Sequence, residues 1–376
     1  MKKKQIIQAA AFLCLFFIML TSLSYMLRTS GDVKARFVGF YAEPRDTIDA
    51  VLIGSSPVYP YYAAPKIWAD TGITTYPLST NLQRPKAAVH LIEEAEKTQS
   101  PSLYIFEMRM YLAADRDLTR NMAYTRGVTD NMKYSWNRIV TINDLVPEKA
   151  EANAAEEEGE EDSEEGPAAE ARYTYYFDIF KYHSNWKTLV MPGQLVSFRY
   201  EHKDPLKGHF ISDEVGPDEM ADFSHIETRM PIPEDEEQVL RELLAYLREH
   251  EMNALFIVSP NTMTEEKQAQ YNYIADIVEE GGYRFLNLND YYEEIGVDFS
   301  TDFYDYGGHA NAIGAEKCSR FLGEYLKENY DFEDKRGQAA YASWDEAYEE
   351  WSRRNEEAQA VIRERIEKRD FKIMEE

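Results

Sequence analysis

The sequence predicts an α/β protein: a parallel β-sheet covered by helices, preceded by an apolar N-terminal segment. Three observations carry this. Short apolar runs alternate with amphipathic helical patterns over residues 49–109 and again over 234–329, the signature of right-handed βαβ units. The apolar runs are continuous rather than alternating, as in strands covered on both faces. Finally, Ile6 to Leu27 contains no charged residue and follows Met1-Lys-Lys-Lys4.

That segment is long enough to cross a bilayer. The lysines place its N-terminal side in the cytoplasm and export the rest of the chain. The competing reading is a cleaved signal peptide with Ser22-Leu-Ser24 as the cleavage site. The apolar run continues through Tyr25-Met-Leu27, which favours an uncleaved anchor. Residues 1–28 therefore read as a cytoplasmic tip and single-pass signal anchor. The bulk of the chain lies outside a bacterial cell membrane.

Val51-Leu-Ile53, ended by Gly54, reads as the first strand. A short helix over Pro65–Asp70 and a strand over Thr74–Leu78 follow. Pro85 to Lys97 reads as a helix with Ala88, Leu91, Ile92 and Ala95 on one face. Leu103-Tyr-Ile-Phe106 is the third strand. The alternation then stops, so 110–233 reads as an insertion into one domain spanning 29–330. Within it, Asn131–Trp136 reads as a helix. The Glu/Ala/Gly run 148–170 reads as a disordered acidic linker. Tyr173 to Trp186 is aromatic enough to require docking, and 200–233 reads as irregular. Glu234–His250 is an amphipathic helix striped by Val239, Leu240, Leu243, Leu244 and Leu247. Ala254–Val258 is a strand, Thr264–Glu280 a helix ended by Gly281-Gly282, and Tyr283–Leu288 the fifth strand. A Gly-rich polar loop over 299–311 leads to a helix over Ala312–Asn329. Residues 331–376 form a charged tail, with a helix over 343–370 carrying Trp344, Tyr348, Trp351, Ala358, Ile362 and Ile366 at helical spacing.

The formal net charge is −27, which repels phosphate backbones and argues against nucleic-acid partners. Residues 148–170 hold eleven acids and one lysine; the remainder of the chain is still acidic. Cys14 lies in the apolar segment, so it is not expected to pair with Cys318. No Cys/His spacing suggests a metal site.

Ser55-Ser56 stands at the end of the first strand, and Phe303-Tyr-Asp-Tyr-Gly-Gly-His309 follows the fifth. Both loops leave the sheet edge where α/β proteins bind ligands. A nucleophilic serine needs a base, and the base needs an orienting carboxylate. The alternative reading of Ser-Ser is a plain helix N-cap. Gly54-Ser-Ser56, Asp305-Tyr-Gly-Gly-His309 and the following Asn311-Ala-Ile-Gly-Ala315 together resemble the SGNH/GDSL hydrolase superfamily over roughly 49–110 and 250–330. They are similar in particular to its membrane-anchored extracellular branch, which includes the lipoteichoic acid D-alanylation and alginate O-acetylation proteins. The resemblance implies a three-layer, flavodoxin-like fold with a five-stranded parallel sheet. It also implies a serine esterase or O-acyltransferase acting on a cell-envelope glycopolymer, without cofactor or metal. Ser56 takes the nucleophile's place and His309 the base's. The acid's usual place, three residues before the base, holds Tyr306. Asp305 fills the role if Gly307-Gly308 loops out one residue, with Asp302 as the alternative. Ser79, in Leu78-Ser-Thr-Asn81, stands where a glycine supplies an oxyanion N–H, and Asn81 adjoins it as a substrate-binding candidate. The asparagine expected after the third strand is replaced by Glu107-Met-Arg109. Arg109 therefore reads either as an anion-binding group or as the ion-pair partner of Glu107. Two other outcomes fit the pattern: an inactive scaffold partnering a membrane O-acyltransferase, or a glycan-binding module using the aromatic insertion.

Overall fold

Period-two alternation sorts the strand side chains to two opposite cores. Val51, Ile53, Tyr104, Phe106, Phe256 and Val258 join one buried cluster, and Ala50, Leu52, Ile105, Leu255 and Ile257 join the other. Because both faces are covered, each run is apolar throughout. In a computed structural model, residues 3–28, 31–114, 122–146, 171–188, 200–219 and 221–372 are described. The proposed acidic linker at 148–170 lies outside them.

Five parallel strands, β1 (Ala50–Ile53), β2 (Thr75–Pro77), β3 (Leu103–Glu107), β4 (Ala254–Val258) and β5 (Arg284–Asn287), form one sheet in the order β2-β1-β3-β4-β5. The order reverses direction between β1 and β3, so the loops leaving those strands diverge and open a crevice at their C-terminal ends.

Among the described residues, the α-helices of eight residues or more are α1 (Lys3–Leu27), α2 (Asp32–Ala42), α3 (Ala64–Thr71), α4 (Ala88–Ala95), α5 (Met122–Thr129), α6 (Trp136–Leu145), α7 (Glu234–Glu249), α8 (Glu265–Glu280), α9 (Ala312–Asn329) and α10 (Ala342–Lys368). Leu91 and Ile92 of α4, Leu240 and Leu243 of α7 and Ile274 of α8 cover one sheet face. Ile67 of α3 and Ala315, Leu322 and Leu326 of α9 cover the other. Pro85 starts a 3-10 turn, and α4 proper begins only at Ala88. Thr264 caps α8 by accepting a hydrogen bond from the Lys267 N–H.

The sequence pattern gave no warning of α2. Its Phe37, Phe40 and Tyr41 nonetheless pack into the first cluster. Asn131–Trp136, expected to be a helix, instead joins α5 to α6. The Ser135 side chain accepts the Arg138 N–H and starts α6 at Trp136, while the Asn131 amide bonds back to Gly127 O. The tail helix α10 packs on the body, burying Trp344 against Trp68 (ring centroids 5.9 Å) together with Trp351 and Ile362. Cys14 and Cys318 are both free. Helix α1 is long and apolar enough to cross a membrane.

Candidate active site

Gly54 sets the turn that presents the serines. A Cβ there would lie 2.7 Å from Glu107 Cβ and 2.8 Å from the Val58 side chain, so only glycine lets β1 end this close to β3. The chain turns through Ser55-Ser56-Pro57 into a single helical turn, Val58–Tyr61. The two serines then take different roles. Ser55 is fully buried, and its Oγ accepts the Gln83 N–H at 3.2 Å, tying the β1 exit to the β2 exit. Ser56 is half-buried, and its Oγ lies 2.8 Å from His309 Nε2.

His309 is held from behind. Its Nδ1 lies 2.5 Å from Asp305 Oδ2, and its backbone N–H donates to Asp305 Oδ1 at 2.5 Å. The Tyr304 ring stacks on the imidazole at 5.4 Å and 12°. The carboxylate fixes the tautomer with Nδ1 protonated, leaving Nε2 to accept the Ser56 proton. Distance along the chain, 253 positions, is closed by the fold.

The one-residue offset of Asp305 has a visible cause. Tyr306 and Gly307 both sit in the left-handed region, at φ 60° and 81°. They loop out between Phe303 and Ala310, which pair as an isolated antiparallel bridge. A Cβ on Gly308 would meet the Asp305 carboxylate at 2.9 Å, and one on Gly307 would meet Thr262 Oγ1 at 2.0 Å. Both glycines are thus close-approach positions. Gly307→Ala is expected to cost about 1–3 kcal/mol and to slow reaction of Ser56 with a fluorophosphonate. A variant labelling at the native rate would contradict this role. Asp302 is fully buried and bound by Lys317 Nζ (2.7 Å), the Asp298 N–H (2.8 Å) and the Thr301 hydroxyl (2.8 Å). It holds the loop before α9 and does not touch His309. Asn311 completes that loop, capping α9 through the Ile313 and Gly314 N–H groups.

The oxyanion candidates are less uniform. Ser79 is fully buried at the β2 exit. Neither its N–H nor that of Ser56 bonds to another backbone group among the described residues. Among the described residues, Ser79 Oγ, Thr80 Oγ1 and Gln83 Oε1 are buried with no hydrogen-bond partner, so this wall of the crevice is polar. Asn81 is exposed, and its Oδ1 accepts the Tyr59 hydroxyl at 2.5 Å.

Arg109 meets the ion-pair reading: its Nε lies 3.3 Å from Glu107 Oε1. Its Nη1 also donates to Gly308 O at 2.7 Å. Tyr61 reaches the same carbonyl at 3.0 Å while donating to Pro260 O at 2.6 Å. Arg109 therefore acts on the loop that carries the histidine. Arg109→Met is expected to lower turnover several-fold without abolishing fluorophosphonate labelling. Complete loss of labelling in a folded variant would move Arg109 into the chemistry.

Of three supporting residues, Arg36 and His209 carried no sequence signal, and Glu107 read there only as a possible ion-pair partner of Arg109. Arg36 of α2 is buried, donates to Ser79 O (2.9 Å) and Gly208 O (3.0 Å), and lies over the Tyr59 ring at 3.9 Å. Glu107 accepts the Ser259 and Arg109 N–H groups, each at 3.2 Å. His209 donates Nδ1–H to Tyr59 O at 2.8 Å. His183, by contrast, is exposed and hydrogen-bonds within its own turn to Phe180 O.

Burial pushes His209 down to about 3. The unfolded chain therefore takes up a proton between pH 6.5 and 3 that the folded chain refuses. Stability is full above 6.5 and falls on acidification by about 1.4 kcal/mol per pH unit from this group. His209→Gln should flatten that slope in denaturant titrations at pH 7, 6 and 5. An unchanged slope would exclude His209 as its source.

Compared with known proteins, the chain matches no family model, no curated protein and no solved structure.

Proposed function

We propose that the chain is a membrane-anchored serine esterase or O-acyltransferase of the SGNH type, acting outside the cell on an acylated envelope polymer. The observation that carries this is the hydrogen-bonded line from Ser56 Oγ to His309 Nε2 and from His309 Nδ1 to Asp305. The strand order β2-β1-β3-β4-β5 fits the flavodoxin-like arrangement expected of that superfamily.

In this reading Ser56 attacks the ester carbonyl while His309 takes its proton. The imidazolium, balanced by Asp305, then protonates the departing alcohol. The Ser56 and Ser79 N–H groups receive the oxyanion. Water or a polymer hydroxyl, deprotonated by His309, releases the acyl group from Ser56. Helix α1 anchors the enzyme, its lysines on the cytoplasmic side. The test is release of carboxylic acid, or its transfer to a sugar hydroxyl, from O-acylated glycans incubated with the purified full-length protein. Absence of both, and of turnover on simple aryl esters, would defeat the proposal.

A second reading, an inactive scaffold beside a membrane O-acyltransferase, rests on one observation. The β3 exit offers Glu107 and Arg109 where the superfamily places an amide donor. Glycan binding that survives loss of Ser56, without turnover, would favour a non-catalytic role.

A further inference from the structure

We propose that residues 173–186 form an aromatic foot that seats on the lipid interface of the membrane crossed by α1. This rests on reading α1 as a membrane span. The first observation is where that helix becomes buried. From Ile6 to Leu23 it is exposed or half-exposed, whereas Ser24, Tyr25 and Leu27 are buried in the body. The uncovered stretch is about 27 Å long, close to the hydrocarbon thickness of a bilayer. Filling the bilayer with it brings the protein surface around Ser24–Arg28 to the headgroup level.

The second observation is what surrounds that exit point. Asn185 Nδ2 donates to Leu27 O at 2.9 Å, and Arg28 pairs with Asp178 at 2.5 Å. The segment 173–186 is therefore fixed to the end of the span, through contacts on both Leu27 and Arg28. One aromatic, Tyr175, turns inward and is fully buried. Four others do the opposite: Tyr173, Phe177, Phe180 and Trp186 are 55%, 41%, 58% and 64% exposed. Three of them touch one another, Tyr173 to Phe180 at 5.5 Å and Phe177 to Phe180 at 6.5 Å between ring centroids. Exposed Lys181 and Lys187 stand among them. Exposed aromatics, three of them in contact, with lysines next to Phe180 and Trp186 in the chain and the whole segment tied to the end of the span, have the chemistry of an interfacial belt. Water gives such a patch no compensation, and the neighbouring apolar span supplies the lipid. The foot would fix the tilt and height of the crevice over the membrane.

Native tryptophans make the test direct. The chain has five. Trp68, Trp344 and Trp351 are buried, and only Trp136 and Trp186 are exposed. Full-length Trp136→Phe protein is reconstituted into phosphatidylglycerol/phosphatidylcholine vesicles with acyl chains brominated near the headgroup. Trp186 emission should be quenched relative to unbrominated vesicles, and aqueous acrylamide should lose access to it. The quenching should vanish in Trp136→Phe/Trp186→Phe and weaken in Trp136→Phe/Phe180→Glu. Protein that floats with the vesicles yet shows no bromine quenching, with Trp186 open to acrylamide, overturns the foot while sparing the anchor. Such accessibility is the outcome expected if another protein covers the patch. Failure to float with the vesicles overturns both.

Discussion

Ser56→Ala is expected to eliminate fluorophosphonate labelling and to lower ester turnover by roughly 10³-fold or more. The size follows from the geometry. Among the described residues, Ser56 Oγ is the hydroxyl placed against His309 Nε2, at 2.8 Å, whereas the adjacent Ser55 hydroxyl is committed to the Gln83 N–H. The fold should be indifferent: the side chain is half-buried, and among the described residues its Oγ bonds to His309 rather than to the sheet. Thermal denaturation of the variant should therefore match the parent. His309→Ala should cost about as much as Ser56→Ala, and the double variant little more, since the pair acts as a unit. Asp305→Asn and Asp302→Asn separate the two acids. The first should cut turnover steeply, leaving the imidazole without its orienting carboxylate. The second should spare turnover and lower stability, because Asp302 anchors Lys317 and the Asp298 amide. Labelling that persists in Ser56→Ala, or an Asp302 variant slower than the Asp305 variant, would dismantle this assignment.

Much of this was legible because the relevant signals are local. Continuous apolar runs marked β1, β3 and β4, since a strand covered on both faces has little polar side to show, whereas β2 and β5 carry Thr75, Arg284 and Asn287 and were legible from their place in the alternation. Ser56 and His309 were readable as loop residues at strand ends, while the loop that brings Asp305 against the imidazole, expected at Gly307-Gly308, has its left-handed residues at Tyr306 and Gly307. The remainder depends on contacts across the sequence. Helix α2 is short, and its Lys34 and Arg36 are buried, which hides its apolar face from a periodicity argument. Arg36 matters because Gly208 and Ser79, from two distant loops, converge on its guanidinium. Nothing in the neighbouring residues announces that. Arg109 likewise had two readings until Gly308 O was placed against it. The start of α6 at Trp136 was set by the Ser135 cap, a one-residue signal outweighed by the surrounding aromatics.

Asp178→Ala is expected to destabilise the insertion by about 3–5 kcal/mol, the usual penalty for orphaning buried charges. The Asp178 carboxylate is fully buried. It pairs with Arg28 at 2.5 Å and Arg138 at 2.8 Å, and it accepts the Tyr134 hydroxyl at 2.7 Å. Removing it leaves two buried guanidiniums without their shared acid; among the described residues the nearby carboxylate is Asp130, 3.8 Å from Arg138. Burial by itself would raise the Asp178 carboxyl, but Arg28 and Arg138 outweigh it and hold it below the ordinary carboxylate range. Its contribution is accordingly complete above that range and is lost as pH falls through the lowered folded value. The loss should be regional. Asp178 joins the end of α1 to α6 and the aromatic segment, while the sheet and the Ser56–His309 pair draw on other contacts. Limited proteolysis should cut 171–188 faster in Asp178→Ala, and bromine quenching of Trp186 should fall, while Ser56 still labels. Replacing all three charges together, as Arg28→Met/Arg138→Met/Asp178→Leu, should recover much of the stability, since the penalty belongs to the unpaired charge rather than to the missing bond. Proteolysis of Asp178→Ala indistinguishable from the parent would mean the junction between span and body is carried elsewhere, and that Asp178 is not the rigid link between the span and the aromatic segment.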